Sequence, residues 1–166
     1  MTLPPEQRLA RALSRGGGPL ALAESCTGGL VAHRVTEVAG ASAYFERGLV
    51  VYSNRAKTEL LGVPEELLAA HGAVSEPCAR AMLAGLFART PARLAAAVTG
   101  VAGPGGGSEE KPVGTVWVAW GRPGAAAAQL LRLSGTRSQI KAAAAEAVLE
   151  RLAAAAAVAT AMECPA

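Results

Sequence analysis

The sequence predicts an α/β protein, a three-layer α/β/α sandwich around a mixed central sheet. Three observations predict it. Short apolar runs alternate with helical patterns through most of the chain. The run from Gly114 to Gly121 is apolar on both faces, with Val116, Val118 and Trp120 on one and Trp117 and Ala119 on the other. Such a strand needs cover on both sides. It is followed by a second strand-like run after a short Pro123-Gly124 turn, which reads as a hairpin and makes the sheet mixed. The 166 residues predict one domain, 1–166. A chain of that size buries roughly 70% of its unfolded surface and needs no disulfide or metal staple.

The elements follow in order. Residues 4–15 form a helix that Pro4 and Pro5 start and Gly16-Gly17-Gly18 ends. Residues 19–24 form a buried strand. Residues 28–39 form a helix with Val31, Val35 and Val38 on one face and Gly40 as its stop. Aromatic and β-branched residues from Tyr44 to Tyr52 give a strand or strand pair. Residues 54–61 form a short helix stopped by Gly62, and Pro64 to Ala70 a second helical piece. Ser75 caps a helix that tolerates Pro77 in its first turn and runs to Arg89. Leu94 to Thr99 is a central strand. Gly100 to Pro112 is a glycine-rich loop. Residues 125–134 add a strand weakened by four alanines, and alanine propensity supports a long helix from Arg137 to about Met162.

Bulk properties exclude several functions. The net charge of +3 comes from scattered basic residues, with no block of five or six. Aromatics are only 4%. Neither favours nucleic acid, and no direct nucleic-acid binding is expected. A modest positive field suits a small anionic ligand. Cys26, Cys78 and Cys164 are odd in number and far apart, which reads as reduced thiols in a cytoplasmic protein. His33 and His71 lack metal-ligand spacing, so no metal is expected. The N-terminus lacks a signal-peptide layout. Glu146, Glu150 and Arg151 interrupt the alanine-rich stretch 142–161, which argues against a membrane span.

The chemistry concentrates in Ala23-Glu24-Ser25-Cys26-Thr27-Gly28-Gly29. A hydroxyl nucleophile there sits where a strand hands over to a helix. Helix-start N–H groups are unpaired and carry partial positive charge, a ready anion site. The same residues also fit a plain helix N-cap, with Thr27 as the cap. Glu24 reads as a hydrogen-bond anchor rather than an acid, and Cys26 as a small buried thiol. Familiar motifs fail. The glycine-rich loop lacks Walker spacing, the serine lacks the glycines of a nucleophile elbow, and no Ser-x-x-Lys occurs.

Lysine usage adds a clue. Among 16 basic residues only Lys57, Lys111 and Lys141 are lysines. Arginine cannot lose its proton in a protein, whereas lysine can, so a site needing a basic amine cannot use arginine. Lys57 ends Tyr52-Ser53-Asn54-Arg55-Ala56-Lys57, and Lys111 ends the glycine-rich loop. Ordinary helix-surface charge is the competing reading for both.

Five pieces in register resemble the CinA C-terminal domain family, which are nicotinamide-nucleotide amidases. They are Ala-Glu-Ser-Cys-Thr-Gly-Gly at 23–29, Tyr-Ser-Asn-x-x-Lys at 52–57, His-Gly-Ala-Val-Ser-Glu at 71–76, Thr-Gly-Val-Ala-Gly-Pro-x-Gly-Gly at 99–107 and Lys-Pro-Val-Gly-Thr-Val at 111–116. The resemblance covers roughly residues 5–152. It implies a serine amidohydrolase without metal or other cofactor, converting nicotinamide mononucleotide to nicotinic acid mononucleotide and ammonia. Carried onto matching positions, it makes Ser25 the nucleophile, Lys57 the general base and Tyr52 a supporting hydroxyl. Thr99 and the glycine-rich loop would help hold the substrate. Backbone groups near Thr27, Gly28 and Gly29, or from Thr99 and Gly100 to Gly103, would stabilise the oxyanion. The phosphate would seek an N–H-rich loop or Arg137.

The chain departs from the family near 134–141. The family usually shows Gly-Asp-Arg and a second arginine four residues on; here stand Gly135-Thr136-Arg137 and Lys141. The resemblance also implies a homo-oligomer with the site near a subunit boundary. With Met1 almost directly before the first helix, the chain reads as a stand-alone domain. Two other readings compete with the amidase: a non-catalytic nucleotide- or partner-binding module, and a cysteine hydrolase using Cys26.

Overall fold

Strand order decides where the site can lie. In a computed structural model, β1 (Leu20–Glu24), β2 (Phe45–Val50), β3 (Leu94–Gly100), β4 (Thr115–Arg122) and β5 (Ala125–Arg132) form one sheet in the order β2-β1-β3-β4-β5. The structure describes residues 3–162, with side chains described through Val158, so Cys164 lies outside the described residues. β1 runs parallel to β2 and β3, while β4 is antiparallel to β3 and β5. The sheet is therefore mixed, and β4 and β5 form the expected hairpin through Pro123-Gly124. The chain leaves β1 for β2 on one side and enters β3 on the other. That reversal opens a crevice beyond the carboxyl ends of β1 and β3, where α/β folds place ligands.

The strands are bulky on one face and small on the other. Leu20, Leu22, Leu94, Ala96, Val98, Val116 and Val118 face one layer, and Ala21, Ala23, Ala95, Ala97 and Ala119 face the opposite one. The first layer consists of α1 (Pro5–Ala12), α2 (Leu30–Thr36) and α6 (Arg137–Met162). It supplies Leu9, Val31, Val35, Ile140, Val148, Leu149 and Leu152. The second consists of α3 (Asn54–Leu61), α4 (Glu65–His71) and α5 (Glu76–Arg89). It supplies Leu61, Leu68, Met82, Leu83 and Leu86 against the alanine face. Small strand residues need bulky helix residues to fill the space at interior density. Close approach continues between helices: a methyl group at Gly85 of α5 would overlap the Leu61 carbonyl of α3. β4 is covered on both sides as its sequence demands, with Trp120 packing in the first layer and Trp117 in the second.

Element boundaries follow the sequence closely, with four adjustments. The first helix passes at Leu13 into a π-helical turn ending at Gly17, because Gly16 adopts φ +104°. The stretch expected as helix from 28 starts two residues later, since Gly28 and Gly29 have φ of +62° and +99°, outside helical space. Its far end stops at Thr36, whose hydroxyl bonds back to the Ala32 and His33 carbonyls. Tyr44 to Tyr52 contains one strand, not a pair. Ser53 and Ser75 cap α3 and α5 by accepting from the Ala56 and Cys78 N–H groups. No helix among the described residues is long and apolar enough to cross a membrane.

Candidate active site

Ser25 follows the last residue of β1 in the middle of the parallel part of the sheet. Its N–H donates to the Val98 carbonyl, and the Glu24 carbonyl accepts from Val51. Both neighbouring strands therefore fix this turn. Successive residues of a strand point to opposite faces. Glu24 continues the row of Leu20 and Leu22 and faces the α2 layer. Ser25 continues the row of Ala21 and Ala23 and faces the α3 layer.

Glu24 is 2% exposed, and its carboxylate accepts four hydrogen bonds. The donors are the Thr27 hydroxyl at 2.6 Å and the N–H groups of Gly29, Val31 and Ala32 at 3.0, 3.1 and 2.8 Å. An anion thus already occupies the positive end of α2. This corrects two expectations. Thr27 does not cap α2; its hydroxyl serves the carboxylate that does. The α2 N-terminus is not an open site for a substrate anion either. Gly29 gives its N–H to Glu24, and Gly28 gives its own to the Ser25 carbonyl at 3.1 Å. The N–H groups of Cys26 and Thr27 reach no oxygen of another residue among the described residues, and the Cys26 N–H lies against its own thiol. Glu24→Gln, which replaces one accepting oxygen with a donor facing donors, is expected to cost about 2 kcal/mol. Its thermal midpoint should fall by about 5 °C in a calorimetric scan.

Lys57 lies on α3, directly across from Ser25. It is 1% exposed, yet its amine meets no carboxylate among the described residues. Its Nζ lies 3.1 Å from Ser25 Oγ, 2.9 Å from the Val51 carbonyl and 3.2 Å from the Tyr52 carbonyl. Burial lowers its pKa from the ordinary lysine value of 10.5. The three partners suit both protonation states. Two carbonyls can only accept, so they hold the two N–H bonds of a neutral amine. The remaining lone pair then faces a hydroxyl that can donate.

Cys26 is buried beside the serine, and burial pushes its thiol up to about 11. Cys78, at the start of α5, is likewise raised by burial. Neither is poised as a thiolate. Thr99, at the end of β3, is buried, and its hydroxyl donates to the Ala73 carbonyl at 2.9 Å. Gly100 has no room for a side chain against Thr115 and Val116. The Gly103 carbonyl accepts from Arg137 Nη1 at 2.6 Å.

The expected supporting hydroxyl is placed elsewhere. Tyr52 gives Lys57 its backbone carbonyl, while its side chain is 59% exposed and its hydroxyl accepts from Arg137 Nη2 at 2.9 Å. Arg137 begins α6 and so ties the β2–α3 connection to the glycine-rich loop. With Thr136 before it, Arg137 has neutral oxygen acceptors among the described residues. Lys141, one turn further along α6, reaches the serine turn: a methyl group on Gly28 would sit 3.6 Å from its Nζ. Lys111 donates to the His71 carbonyl at 2.7 Å and, with Lys57, acts electrostatically on Cys78. All three lysines thus gather around this crevice. None of them, nor Arg137, forms an ion pair among the described residues. The scarcity of lysine pointed toward this cluster; the contacts of Tyr52 and Lys141 across the fold had no local signal. A groove of about 660 Å³ beside Glu6, Arg11 and Glu37 contains neither Ser25 nor Lys57.

The CinA C-terminal domain family matches residues 3–156. The chain belongs to this family. Among its relatives, a CinA-like protein of Akkermansia muciniphila is 63% identical over 100 residues, 60% of this chain and 24% of that protein. The chain spans about a quarter to a third of the length of such CinA-like relatives. The nicotinamide-nucleotide amidohydrolase PncC of Escherichia coli K12 is 54% identical over 114 residues, 69% of either chain. The solved structure of a CinA superfamily protein from Klebsiella pneumoniae 700603 superposes with a TM-score of 0.88 at 38% identity, over 93% of this chain and 96% of that one. The family's fold is thus the α/β architecture described above, and its motif segments line the crevice.

Proposed function

We propose that the chain deamidates nicotinamide mononucleotide to nicotinic acid mononucleotide and ammonia, with Ser25 as nucleophile and Lys57 as general base. One observation carries the reading: a buried lysine with no carboxylate partner among the described residues stands 3.1 Å from a serine hydroxyl at the carboxyl end of the sheet. The E. coli relative, a nicotinamide-nucleotide amidohydrolase, supports the substrate class, and the cations around the crevice, which form no ion pair among the described residues, suit a phosphate-bearing ligand.

Each step uses groups already placed. The Ser25 hydroxyl passes its proton to the neutral Lys57 amine as its oxygen attacks the carboxamide carbon. The negative oxygen that forms is met by the N–H groups of Cys26 and Thr27, which bond no oxygen of another residue among the described residues. Lys57 returns the proton to the departing nitrogen, and ammonia leaves an acyl ester on Ser25. Water then attacks that ester with Lys57 again taking the proton, which it passes to Ser25 Oγ as the acyl–oxygen bond breaks and the acid product leaves. Arg137 and Lys141 hold the phosphate from the start of α6. Lysine at 141 acts as a point charge, not as a two-pronged donor.

Ammonia release from nicotinamide mononucleotide tests the reading. Folded wild-type protein that binds the nucleotide without releasing ammonia would instead be a binding module. The rate also has a predicted pH dependence. Only neutral Lys57 accepts a proton, so kcat/KM should rise with pH through one ionisation below the ordinary lysine value. Stability carries the same sign. Between the lowered folded value and 10.5, the unfolded chain holds more protons than the folded one, so Lys57 makes stability rise with pH there. Lys57→Met should remove the stability dependence, as melts across that pH range would show.

A further inference from the structure

We infer that Tyr52 serves ligand recognition, positioning Arg137 for an anion, and takes no part in the proton transfers at Ser25. This rests on the proposed function only for the identity of the substrate.

The geometry separates the tyrosine's two ends. Its carbonyl belongs to the amine cage of Lys57, at 3.2 Å. Its hydroxyl lies on Arg137 Nη2 at 2.9 Å, on a side chain that is 59% exposed. It makes no hydrogen bond to Ser25 or Lys57, whose three partners are already complete. A hydroxyl outside this cage has no route for the serine proton.

The Arg137 end shows what the hydroxyl does. A guanidinium has five N–H donors. Two are used, one by the Gly103 carbonyl and one by Tyr52, and both acceptors are neutral. The charge is left uncompensated and the fork is held at two points. Three N–H groups remain, and the Tyr52 O–H, which accepts from Arg137, keeps its own proton to donate. Donors from two segments therefore converge beside Lys141 without a carboxylate among them. That set fits the oxygens of a phosphate monoester.

Tyr52→Phe removes the acceptor that holds the fork and one donor to the ligand. KM for nicotinamide mononucleotide is expected to rise about tenfold. The value of kcat should stay within about twofold, and its pH profile should not move. Arg137→Lys should raise KM in the same way, and the double variant should raise it by less than the product of the two single effects, because the tyrosine acts in part through the arginine. Calorimetric binding of nicotinic acid mononucleotide and of inorganic phosphate gives the readout free of turnover. Weaker binding of both by Tyr52→Phe supports the inference even if the wild type releases no ammonia. A fall in kcat at unchanged KM, a shifted pH profile, or unchanged phosphate binding overturns it, and leaves the amidase reading standing if wild type is active.

Discussion

Ser25→Ala is expected to lower ammonia release by about four orders of magnitude or more, while Cys26→Ala keeps it within a few-fold. The two side chains are neighbours in sequence, so the contrast isolates which one reacts. Ser25 Oγ has a base at 3.1 Å. The Cys26 thiol is buried and raised to about 11, which leaves almost no thiolate at neutral pH. Removing the serine hydroxyl should leave the fold intact, since no hydrogen bond except the one with Lys57 depends on Oγ. Single-turnover assays and a thermal melt on each variant check both halves. The opposite pattern would make the protein a cysteine hydrolase.

Lys57→Arg should be nearly as damaging, lowering kcat by about 10³-fold or more although the charge is kept. Arginine stays protonated at any pH the protein survives, so it can donate toward Ser25 but never receive its proton. The larger guanidinium also has to enter a space where the lysine is 1% exposed, and overpacking there costs stability. Lys57→Met separates the two effects. It removes the base with little change in volume, and it should melt normally yet remain inactive. Activity surviving in Lys57→Arg would mean that the site needs a cation and not a base.

Some of this arrangement was legible in the chain and some was not, for physical reasons. The two-faced apolar pattern of 114–121 demanded cover on both sides, and α5 and α6 supply it. Ser75 caps its helix as predicted because a cap acts within three residues of itself. The scarcity of lysine flagged Lys57 and Lys111 because a proton acceptor cannot be replaced by arginine. Glu24 is the hydrogen-bond anchor that its sequence suggested, but the helix it holds was not legible, because its carboxylate reaches five to eight residues ahead from inside a strand. The Tyr52–Arg137 bond joins residues 85 apart, and only the packing of α6 across the sheet brings them together. The placement of Tyr52's hydroxyl followed from that packing and from no motif.

The alternation at the end of β1 acts as a reading frame. Glu24 clamps α2 and Ser25 meets Lys57 only because one faces each layer. Removing one residue between Leu20 and Ala23 would keep every chemical group in the chain. It would turn the serine toward α2 and the carboxylate toward the buried amine. The reaction would be lost, and the amine would acquire the anionic neighbour that keeps lysines protonated. Length in this strand is therefore as strictly specified as the identity of the nucleophile.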